Sequence, residues 1–203
     1  PTNVSGLSSG VTAIETAVNH SCALLSTGGV KCWGYNAYGE IGNGLTVNRS
    51  VPTDVVGLSS GVTAIAAGGN HTCAMIGAGT IKCWGDNDYG QIGDDTITNR
   101  SVPTDVSNLS SGNSAIVAGG NHTCVLLSSG SVKCWGYNGA GQIGDNTTTH
   151  RSVPMDVSGL SSDVKAIATG SFHTCVLLAT GGVQCWGNNG SGRLGDNTTT
   201  IRL

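Results

Sequence analysis

Polar and apolar residues alternate along a short stretch that occurs four times in this chain. In the second copy, Asn70–Asn87, the alternation runs as far as Gly79, and the apolar residues Ile81, Cys83 and Trp84 follow it. Alternation with a period of two, interrupted by a glycine, is typical of two short strands joined by a tight turn. The pattern therefore predicts a β-hairpin. The same hairpin is predicted at Asn19–Asn36, Asn121–Asn138 and Phe172–Asn189.

Two cysteine positions fix the period of the repeat at 51 residues. The two series are Cys22, Cys73, Cys124 and Cys175, and Cys32, Cys83, Cys134 and Cys185. A period near 50 residues without insertions is the signature of a propeller or a solenoid. We predict one repeat domain over residues 1–203, with units at residues 1–51, 52–102, 103–153 and 154–203.

The rest of each unit predicts short strands and no helix. In unit two, Pro52 suits the first residue of a strand or an edge, and Val62–Ala67 forms a strand of small apolar residues that Gly68 and Gly69 interrupt. With the hairpin this makes about four strands per unit. No window has sustained helical periodicity, and no apolar run is long enough to cross a bilayer. The expected fold class is all-β, a β-propeller of four-stranded blades with the small residues on its inner strands.

The spacing of the two cysteines in each hairpin favours a disulfide within the hairpin. With a turn near Gly28, Cys22 and Cys32 would lie opposite each other on one face of the two strands, close enough to bridge. Zinc sites use shorter spacings such as Cys-x2-Cys, and reduced core cysteines are the remaining alternative. The predicted pairs are Cys22–Cys32, Cys73–Cys83, Cys124–Cys134 and Cys175–Cys185. Each bridge is expected to contribute about 2–3 kcal/mol, and the set indicates an oxidising compartment.

Charge is sparse and slightly acidic. The chain carries nine Lys and Arg against twelve Asp and Glu, a formal net charge of −3, and its basic residues form no cluster. The electrostatic footprint of a nucleic-acid-binding protein is therefore missing. The abundant Thr, Ser, Asn and Gly indicate a surface solvated by neutral polar groups, which is common outside cells.

The repeat resembles that of the regulator of chromosome condensation family. The residues that carry the resemblance are Ile65-Ala66-Ala67-Gly68, His71, Trp84-Gly85-x-Asn87-x-x-Gly90-Gln91-Ile92-Gly93 and Pro103. The pattern covers the chain four times over. The resemblance implies a β-propeller, usually of seven blades with four strands each. Members of the family include a guanine nucleotide exchange factor that docks on chromatin, a plant ultraviolet receptor, a secreted bacterial inhibitor of β-lactamases, and surface or adhesive modules of bacteria.

Three departures from the family pattern change the expectation. Four repeats are fewer than the usual ring needs, and the chain begins and ends in phase, so we expect part of a larger ring or a subunit that abuts another copy. A cysteine pair stands where intracellular members have apolar residues, which indicates a disulfide-bearing extracellular type. Ala17 and Val18 replace the glycine pair in unit one, so a backbone conformation that needs glycine is expected to be lost there.

Histidine and tryptophan recur in every unit and are interpreted as parts of the frame. The two series are His20, His71, His122 and His173, and Trp33, Trp84, Trp135 and Trp186. A catalytic group is needed once, and the spacing places the histidines on different blades, so we expect hydrogen-bonded core side chains and no metal site. Tryptophan is expected to pack between blades and not to stack on sugars. Asp94 and Asp95 could offer ligands to calcium, but turn capping explains them without an ion; His150, outside the repeat, is expected to be solvated.

The positions that vary on this constant frame are the candidates for binding. The loop after Trp-Gly differs between units and carries tyrosine and aspartate, which suit recognition from a rigid scaffold; neutral drift is the alternative. The binding candidates are Tyr35, Tyr38, Asp86, Tyr89 and Tyr137. Asn-x-Ser/Thr sequons are numerous, although a repeat rich in Asn, Ser and Thr generates them by composition. The glycosylation candidates, in polar loops, are Asn146 and Asn197.

No enzyme signature is present, since the sequence has no Gly-x-Ser-x-Gly elbow, Walker loop or His-Glu-x-x-His motif. We expect a non-enzymatic extracellular or cell-surface propeller without a cofactor, acting as a structural or adhesive module, with a surface fibre as one form of it. A secreted protein-binding propeller is the alternative, nucleotide exchange is less favoured, and lectin activity rests on fold analogy. The expected partners are other copies of the chain or further repeats of a longer one, and a protein or glycan; neither nucleic acid nor a membrane span is expected.

Overall fold

The computed structural model describes all residues from Pro1 to Leu203 and contains fifteen β-strands in four antiparallel sheets, which we call blades 1 to 4. Blade 1 consists of β1 (Val11–Thr16), β2 (His20–Leu25), β3 (Val30–Gly34) and β4 (Arg49–Asp54). Blade 2 consists of β5 (Val62–Ala67), β6 (His71–Ile76), β7 (Thr80–Gly85) and β8 (Arg100–Asp105). Blade 3 consists of β9 (Asn113–Ala118), β10 (His122–Leu127), β11 (Val132–Gly136) and β12 (Arg151–Asp156). Blade 4 consists of β13 (Val164–Thr169), β14 (His173–Leu178) and β15 (Val183–Gly187).

The central hairpin of every blade has the register that the sequence predicts. Cys22 lies opposite Cys32 in the β2–β3 pair, and the corresponding cysteines face each other in the other three blades. All four disulfides are formed within hairpins, with their Cα atoms 4.1 Å apart, and no cysteine is free. The predicted pairing is therefore present in every blade, at the two central strands.

The blades are arranged in a row around one axis, as in a β-propeller. Within each sheet the strands follow chain order, and the first strands of successive blades, β1, β5, β9 and β13, are neighbours along the inside of the arc. A groove of about 360 Å³ runs between their ends and is lined by Thr16, Ala67, Ala118 and Thr169 together with the residues that follow them. Small residues on the inner strands allow this close approach, as expected from sequence. The chain contains no helix that could span a bilayer.

The folded blades do not coincide with the repeat units, which were counted from one proline to the next. Pro52 lies in β4, where Thr53 faces Cys32 of blade 1, so the strand that carries the proline completes the preceding sheet. Blade 4 has three strands, and Arg202 forms a single antiparallel bridge with Gly187 at the edge of the third. The division of residues 1–203 at the prolines therefore describes the period of the sequence, while the folded sheets start about ten residues later.

The hydrophobic cores lie between the blades. In the first core, Leu24 and Val30 of blade 1 pack with Val62, Ile65 and Trp84 of blade 2. Two further clusters repeat this arrangement between blades 2 and 3 and between blades 3 and 4. Since each core needs one face from each of two neighbours, a blade is stable only beside another blade.

The glycine that follows the inner strand in blades 2, 3 and 4 is needed for space. Gly68, Gly119 and Gly170 do not have a positive φ, so the expectation that Ala17 removes a special backbone conformation was wrong. A Cβ at Gly119 would collide with the Cε1 atom of His122 and with the carbonyl oxygen of Gly170 in the next blade. The following residue, Gly120, donates its N–H to the carbonyl of Ser171 at 3.1 Å. Glycine at this place therefore lets neighbouring blades hydrogen-bond through their backbones.

Candidate functional site: a tyrosine-rich loop face on a repeated frame

The repeated histidines connect each blade to the next. His20 Nε2 lies 2.8 Å from Thr72 Oγ1, and the same bond joins His71 to Thr123 at 2.9 Å and His122 to Thr174 at 3.0 Å. Burial lowers the pKa of His20 to about 4 and those of His71 and His122 to about 3, so these rings are neutral at physiological pH. The predicted hydrogen-bonded core histidine is confirmed at these three positions.

The threonine of each bridge also settles which ring nitrogen carries the proton. Thr123 Oγ1 donates to the carbonyl oxygen of Gln91 at 2.9 Å, so it accepts from His71 and the proton of that ring lies on Nε2. The indole N–H of Trp135 donates to the same carbonyl at 2.9 Å. The equivalent carbonyls of Glu40 and Gln142 receive the same two donors from their next blades. The tryptophans thus pack between blades, as predicted, with Trp33 on the open side of blade 1 only partly buried.

A buried asparagine organises the polar loop of each blade. Asn138 Nδ2 donates to Asp145 Oδ1 and to the carbonyls of Thr147 and Thr149 at 3.0–3.1 Å, and its Oδ1 accepts the N–H of Ile143 at 3.0 Å. Asn87 and Asn189 make equivalent bonds in blades 2 and 4. Asn189, which belongs to a sequon, is fully buried by this role.

In blades 2, 3 and 4 the aspartate of the loop is paired with arginine, whereas blade 1 has Asn43 at this position. Asp145 lies 2.7 Å from Arg151, and Asp94–Arg100 and Asp196–Arg202 repeat the pair. Burial alone would raise the pKa of Asp145, but hydrogen bonds from Thr147 and Arg151 outweigh it and hold the pKa below its ordinary value. No group of three or more potential metal-ligating side chains occurs in the protein. Both carboxylate oxygens of Asp94 accept protein donors, from Thr96 and Arg100, which fits the turn-capping interpretation.

Glu40 is an exception within this frame. It occupies the position of Gln91 and Gln142, is fully buried, and accepts the N–H of Tyr38 on Oε2 while its Oε1 has no partner. Burial raises the pKa of Glu40 above its ordinary value. Blade 1 therefore carries a carboxyl group where blades 2 and 3 carry a neutral amide.

Replacing Glu40 with glutamine is expected to raise stability at neutral pH and to leave it unchanged in acid. Because the native pKa is raised, the native state holds this proton more tightly than the unfolded chain, and the free energy of unfolding falls as pH rises from 4.5 through the native pKa. We expect Glu40→Gln to gain about 1 kcal/mol at pH 7, or about 2–4 °C in melting temperature, and nothing below about pH 4. Thermal melts across this pH range measure the difference.

The matched control for this substitution is the reverse change in blade 2. Gln91→Glu is expected to lower the melting temperature at pH 7 by a similar amount and to have no effect in acid. A gain from Glu40→Gln that is equal at pH 4 and pH 7 would contradict the assignment of a buried carboxyl group as its cause.

The five binding candidates form a band across blades 1, 2 and 3, in the loops that follow the third strand of each blade. Tyr35 and Tyr38 lie with ring centroids 6.2 Å apart, and Tyr38 is close enough to Asp86 to feel its charge. Tyr89 packs edge-on against Tyr137 with centroids 4.9 Å apart. The side chains that sequence variation singled out are therefore brought together in the fold, and we call them the tyrosine band.

The electrostatics of the band favour the protonated phenol of Tyr38. Tyr35 and the carboxylate of Asp86 raise the pKa of Tyr38, and burial raises the pKa of Asp86. Asp86 accepts the N–H of Asp88 at 3.0 Å, and Asp88 is exposed beside it. Asp86 itself is buried, so the carboxyl group that a partner can reach is that of Asp88. The band thus offers hydroxyl donors and one exposed carboxylate next to aromatic surface, a combination that suits a polar partner with apolar parts.

His150 was missed as a member of this surface when the sequence was considered alone. Its ring lies 5.1 Å from Tyr89 and 4.7 Å from Tyr137 between centroids, and its Nδ1 accepts the N–H of Asn138 at 3.0 Å. The side chain is exposed, as expected, but it also caps a loop and extends the tyrosine band, which the sequence did not predict. Asn48 and Asn99 occupy the position of His150 in the two preceding units and accept the equivalent backbone N–H. This repeat position was the signal from which the role of His150 could have been predicted.

The two glycosylation candidates are exposed and lie in the polar loops. Asn146 and Asn197 have φ values of 60° and 59°, and the Nδ2 atom of Asn146 donates to Ser158 at 2.8 Å. Both are placed away from the blade cores. Their glycosylation stays a prediction.

Family models for the regulator of chromosome condensation (RCC1) repeat match most of this chain. One covers residues 27–75, 79–126 and 129–177, and a second covers residues 11–40, 62–91, 114–142 and 164–193.

Curated relatives include the probable E3 ubiquitin-protein ligase HERC4 of Rattus norvegicus, 33% identical over 208 residues, and the E3 ubiquitin-protein ligase HERC2 of Homo sapiens, 31% identical over 193 residues. The chain is covered for 100% and 93% of its length but spans only 20% and 4% of these relatives.

Two solved structures share this fold over about half their own length. Human WBSCR16 superposes with a TM-score of 0.83 and 27% identity, over 95% of this chain and 51% of that one. Prp20p from Saccharomyces cerevisiae superposes with a TM-score of 0.81 and 21% identity, over 98% of this chain and 50% of that one.

Proposed function

The chain belongs to the regulator of chromosome condensation (RCC1) repeat family, and from this premise we propose that it is a non-enzymatic extracellular propeller acting as a structural or adhesive surface module. The observation that carries the proposal is the tyrosine band on a frame pinned by one disulfide per blade. The polar residues that recur in the blades hydrogen-bond to one another, so their polar groups are already used within the protein. The surface that differs between blades, which includes the tyrosine band, remains for recognition.

An oxidising location is supported by the disulfides. Four bridges in hairpins would not persist in the reducing cytosol, whereas they form readily outside the cell. The bridges of blades 1 to 3 are completely buried, so the folded chain also shields them from exchange, whereas Cys175–Cys185 is half-buried on the open side of blade 4. The proposed localisation is therefore extracellular or at the cell surface.

The relatives named as ubiquitin ligases are far longer than this chain. Since the chain spans a fifth of the HERC4 relative, we propose for these residues the role of a propeller and carry nothing over from that relative's ligase name. Prp20p, the yeast protein of similar fold, binds Gsp1p and histones. A nucleotide-exchange role for this chain is less favoured, because four disulfides fit poorly with a cytosolic partner.

A second candidate function is a soluble propeller that binds one protein tightly. The packed group of Tyr89, Tyr137 and His150 favours it, because rigid aromatic side chains lose little conformational entropy on binding. This candidate uses the same band as the adhesive module. The two differ in whether the partner is a surface or a single soluble protein.

The test is a binding comparison with a variant of the band. We expect the double variant Tyr89→Ser, Tyr137→Ser to bind cell surfaces about tenfold more weakly than the native chain, since tyrosines at interface centres are frequent hot spots. Phe172→Ser removes an exposed aromatic ring outside the band and is the matched control. Equal binding by all three proteins would contradict the proposal, and recovery of a single protein from culture medium would favour the second candidate.

The compartment is tested separately. Protein isolated from its source under conditions that block thiols is expected to show no free cysteine after denaturation. Eight titratable thiols per chain would rule out the extracellular location.

A further inference from the structure

The arginine that ends the polar loop of blade 1 has no partner, unlike its counterparts in the other blades. Arg100, Arg151 and Arg202 each donate through Nε to an aspartate of their own loop at 2.7 Å. Arg49 occupies the same repeat position, yet no ion pair of the protein includes it, and its buried Nε atom has no hydrogen-bond partner. Its Nη atoms have no partner in the protein either, but they reach solvent.

Two substitutions within the loop remove the acceptors of this arginine. Asn43 stands in blade 1 where blade 2 has Asp94. Leu45 stands where blade 2 has Thr96, whose Oγ1 atom accepts from the guanidinium of Arg100 at 3.3 Å. The Oδ1 atom of Asn43 accepts the N–H of Leu45 at 3.1 Å, a bond that the aspartate makes through Oδ1 in blades 2 to 4. The Nδ2 atom of Asn43 therefore takes the place of the oxygen that binds arginine in the other loops, and it is a donor.

The unpaired arginine results from these substitutions and not from the position of blade 1 at the start of the chain. In blades 2, 3 and 4 the acceptors of the arginine come from its own loop, and no side chain of the preceding blade bonds to it. The loop of blade 1 leans on the blade that follows it, where Gly44 donates its N–H to the carbonyl of Ser101 at 2.9 Å. By the pattern of the other junctions, a blade placed before blade 1 supplies no acceptor here.

The loop that holds the unpaired arginine also carries aliphatic side chains in place of hydroxyl groups. Leu45 and Val47 are 48% and 62% exposed, and the same two positions carry threonine in blades 2, 3 and 4. Thr98 and Thr149, the counterparts of Val47 in the inner blades, are exposed as well, so solvent reaches this position wherever the blade stands. Blade 1 thus combines a cation without its carboxylate and two exposed aliphatic side chains in one loop.

We propose that the loop of blade 1 from Asn43 to Arg49 binds an aliphatic carboxylate, and we call it the carboxylate site. The carboxylate of the ligand accepts from the Nη atoms of Arg49 and from Nδ2 of Asn43, in the role that an aspartate of the chain has in the other loops. The aliphatic part of the ligand lies against Leu45 and Val47. A carboxylate suits this arginine because its two oxygens match the parallel N–H groups of a guanidinium.

The carboxylate site goes beyond the proposed function, because it uses no residue of the tyrosine band. Its ligand is recognised by charge and by an aliphatic stem, whereas the band offers aromatic surface and hydroxyl groups. Adhesion through the band and binding of a carboxylate in blade 1 are therefore measured independently.

Titration of the purified chain with hexanoate, followed by nuclear magnetic resonance, tests the site. We expect saturable shifts of the backbone amide signals of residues 43–49, with a dissociation constant of about 1–10 mM for a ligand of this size. Acetate, which lacks the aliphatic stem, is expected to bind about tenfold more weakly, as burial of part of that stem predicts. Hexanamide keeps the stem without the charge and should cause no saturable shift. Binding of acetate or of hexanamide that equals the binding of hexanoate would overturn the proposal.

Asn43→Asp is the sharpest variant, because it gives blade 1 the carboxylate of the other loops and does not damage the fold. It is expected to abolish the hexanoate shifts and to raise the melting temperature by about 2–4 °C without ligand. Asn146→Asp adds the same charge at an exposed position in the loop of blade 3 and is the matched control, which should bind hexanoate as the native chain does. Arg49→Gln removes the cation and should also abolish binding. Hexanoate binding that survives in Asn43→Asp or in Arg49→Gln would refute the carboxylate site.

An aliphatic carboxylate occurs both in free aliphatic acids and at the carboxyl end of a protein chain. N-acetyl-leucine, which reproduces a chain end, is therefore titrated beside hexanoate. Tighter binding of N-acetyl-leucine that is lost in Asn43→Asp would support the site and assign its ligand to a protein terminus, and the reverse order would support it with a free acid as ligand. Absence of saturable binding by both probes would overturn the proposal and leave the adhesion proposed for the tyrosine band untouched.

Discussion

Replacing Trp135 with alanine is expected to lower the free energy of unfolding by about 3–5 kcal/mol. The side chain is completely buried between blades 2 and 3, and its indole N–H donates to the Gln91 carbonyl. Alanine would leave a cavity in the second core and remove one of the two donors to that carbonyl. For a chain of this size the loss corresponds to a fall of about 10 °C or more in melting temperature, measured by calorimetry.

Two companion variants separate the causes of this loss. Trp135→Phe keeps most of the packing but removes the N–H, and is expected to cost about 1–3 kcal/mol. Trp33→Ala makes the same change on the open side of blade 1, where the ring is only partly buried, and is expected to cost about 1 kcal/mol. Equal losses for Trp33→Ala and Trp135→Ala would contradict the view that stability comes from the contacts between blades.

The blades could be predicted from the sequence because they are local. The alternation around Gly79 and the spacing of Cys73 and Cys83 set the hairpin register within a few residues of chain, and repetition four times removes ambiguity. The contacts between blades join residues 32 to 52 positions apart, such as Thr123 with Gln91 and His71 with Thr123. The acceptor is often a backbone carbonyl, which every residue possesses and no sequence pattern marks.

The candidate site could be predicted in part for a similar reason. Variation on a constant frame identified the tyrosines, since a loop position that differs in each unit is free of the frame. His150 also differs from Asn48 and Asn99, yet it performs their role of accepting a backbone N–H. A change of residue type at one repeat position therefore does not by itself show a change of role. The glycine pair was wrongly predicted to provide a special backbone conformation. Its real role, the close approach of two blades, is not visible in the sequence of a single unit.

Replacing Asn138 with aspartate is expected to destabilise the chain by about 3–5 kcal/mol at pH 7, although it changes a single side-chain group. The Nδ2 atom of Asn138 donates to Asp145 and to the carbonyls of Thr147 and Thr149, and the residue is fully buried. An aspartate would place an acceptor against three acceptors, one of them charged. Urea denaturation followed by tryptophan fluorescence measures the loss.

The direction in which the loss of stability changes with pH tests whether the buried carboxyl group causes that loss. The new carboxyl group should hold a proton in the folded state more tightly than in the unfolded chain, so the deficit relative to the native protein grows as pH rises and shrinks in acid. Asn146→Asp changes a neighbouring exposed residue of the same loop and is expected to alter stability by about 0.5 kcal/mol or less. A deficit for Asn138→Asp that is equal at pH 4 and pH 7 would mean that the buried amide does not hold the loop through its donors.

The same variant also tests whether one arginine can compensate the charges of two carboxylates, because Asp145 pairs with Arg151 in the native loop. If Arg151 turned toward the new carboxylate, it would have to leave Asp145, whose charge is itself buried in the loop. One cation would then be shared between two buried charges, and the loop would still hold an uncompensated one. We therefore expect no rescue by Arg151, and a deficit well below about 3 kcal/mol at pH 7 would show that this arginine compensates both groups.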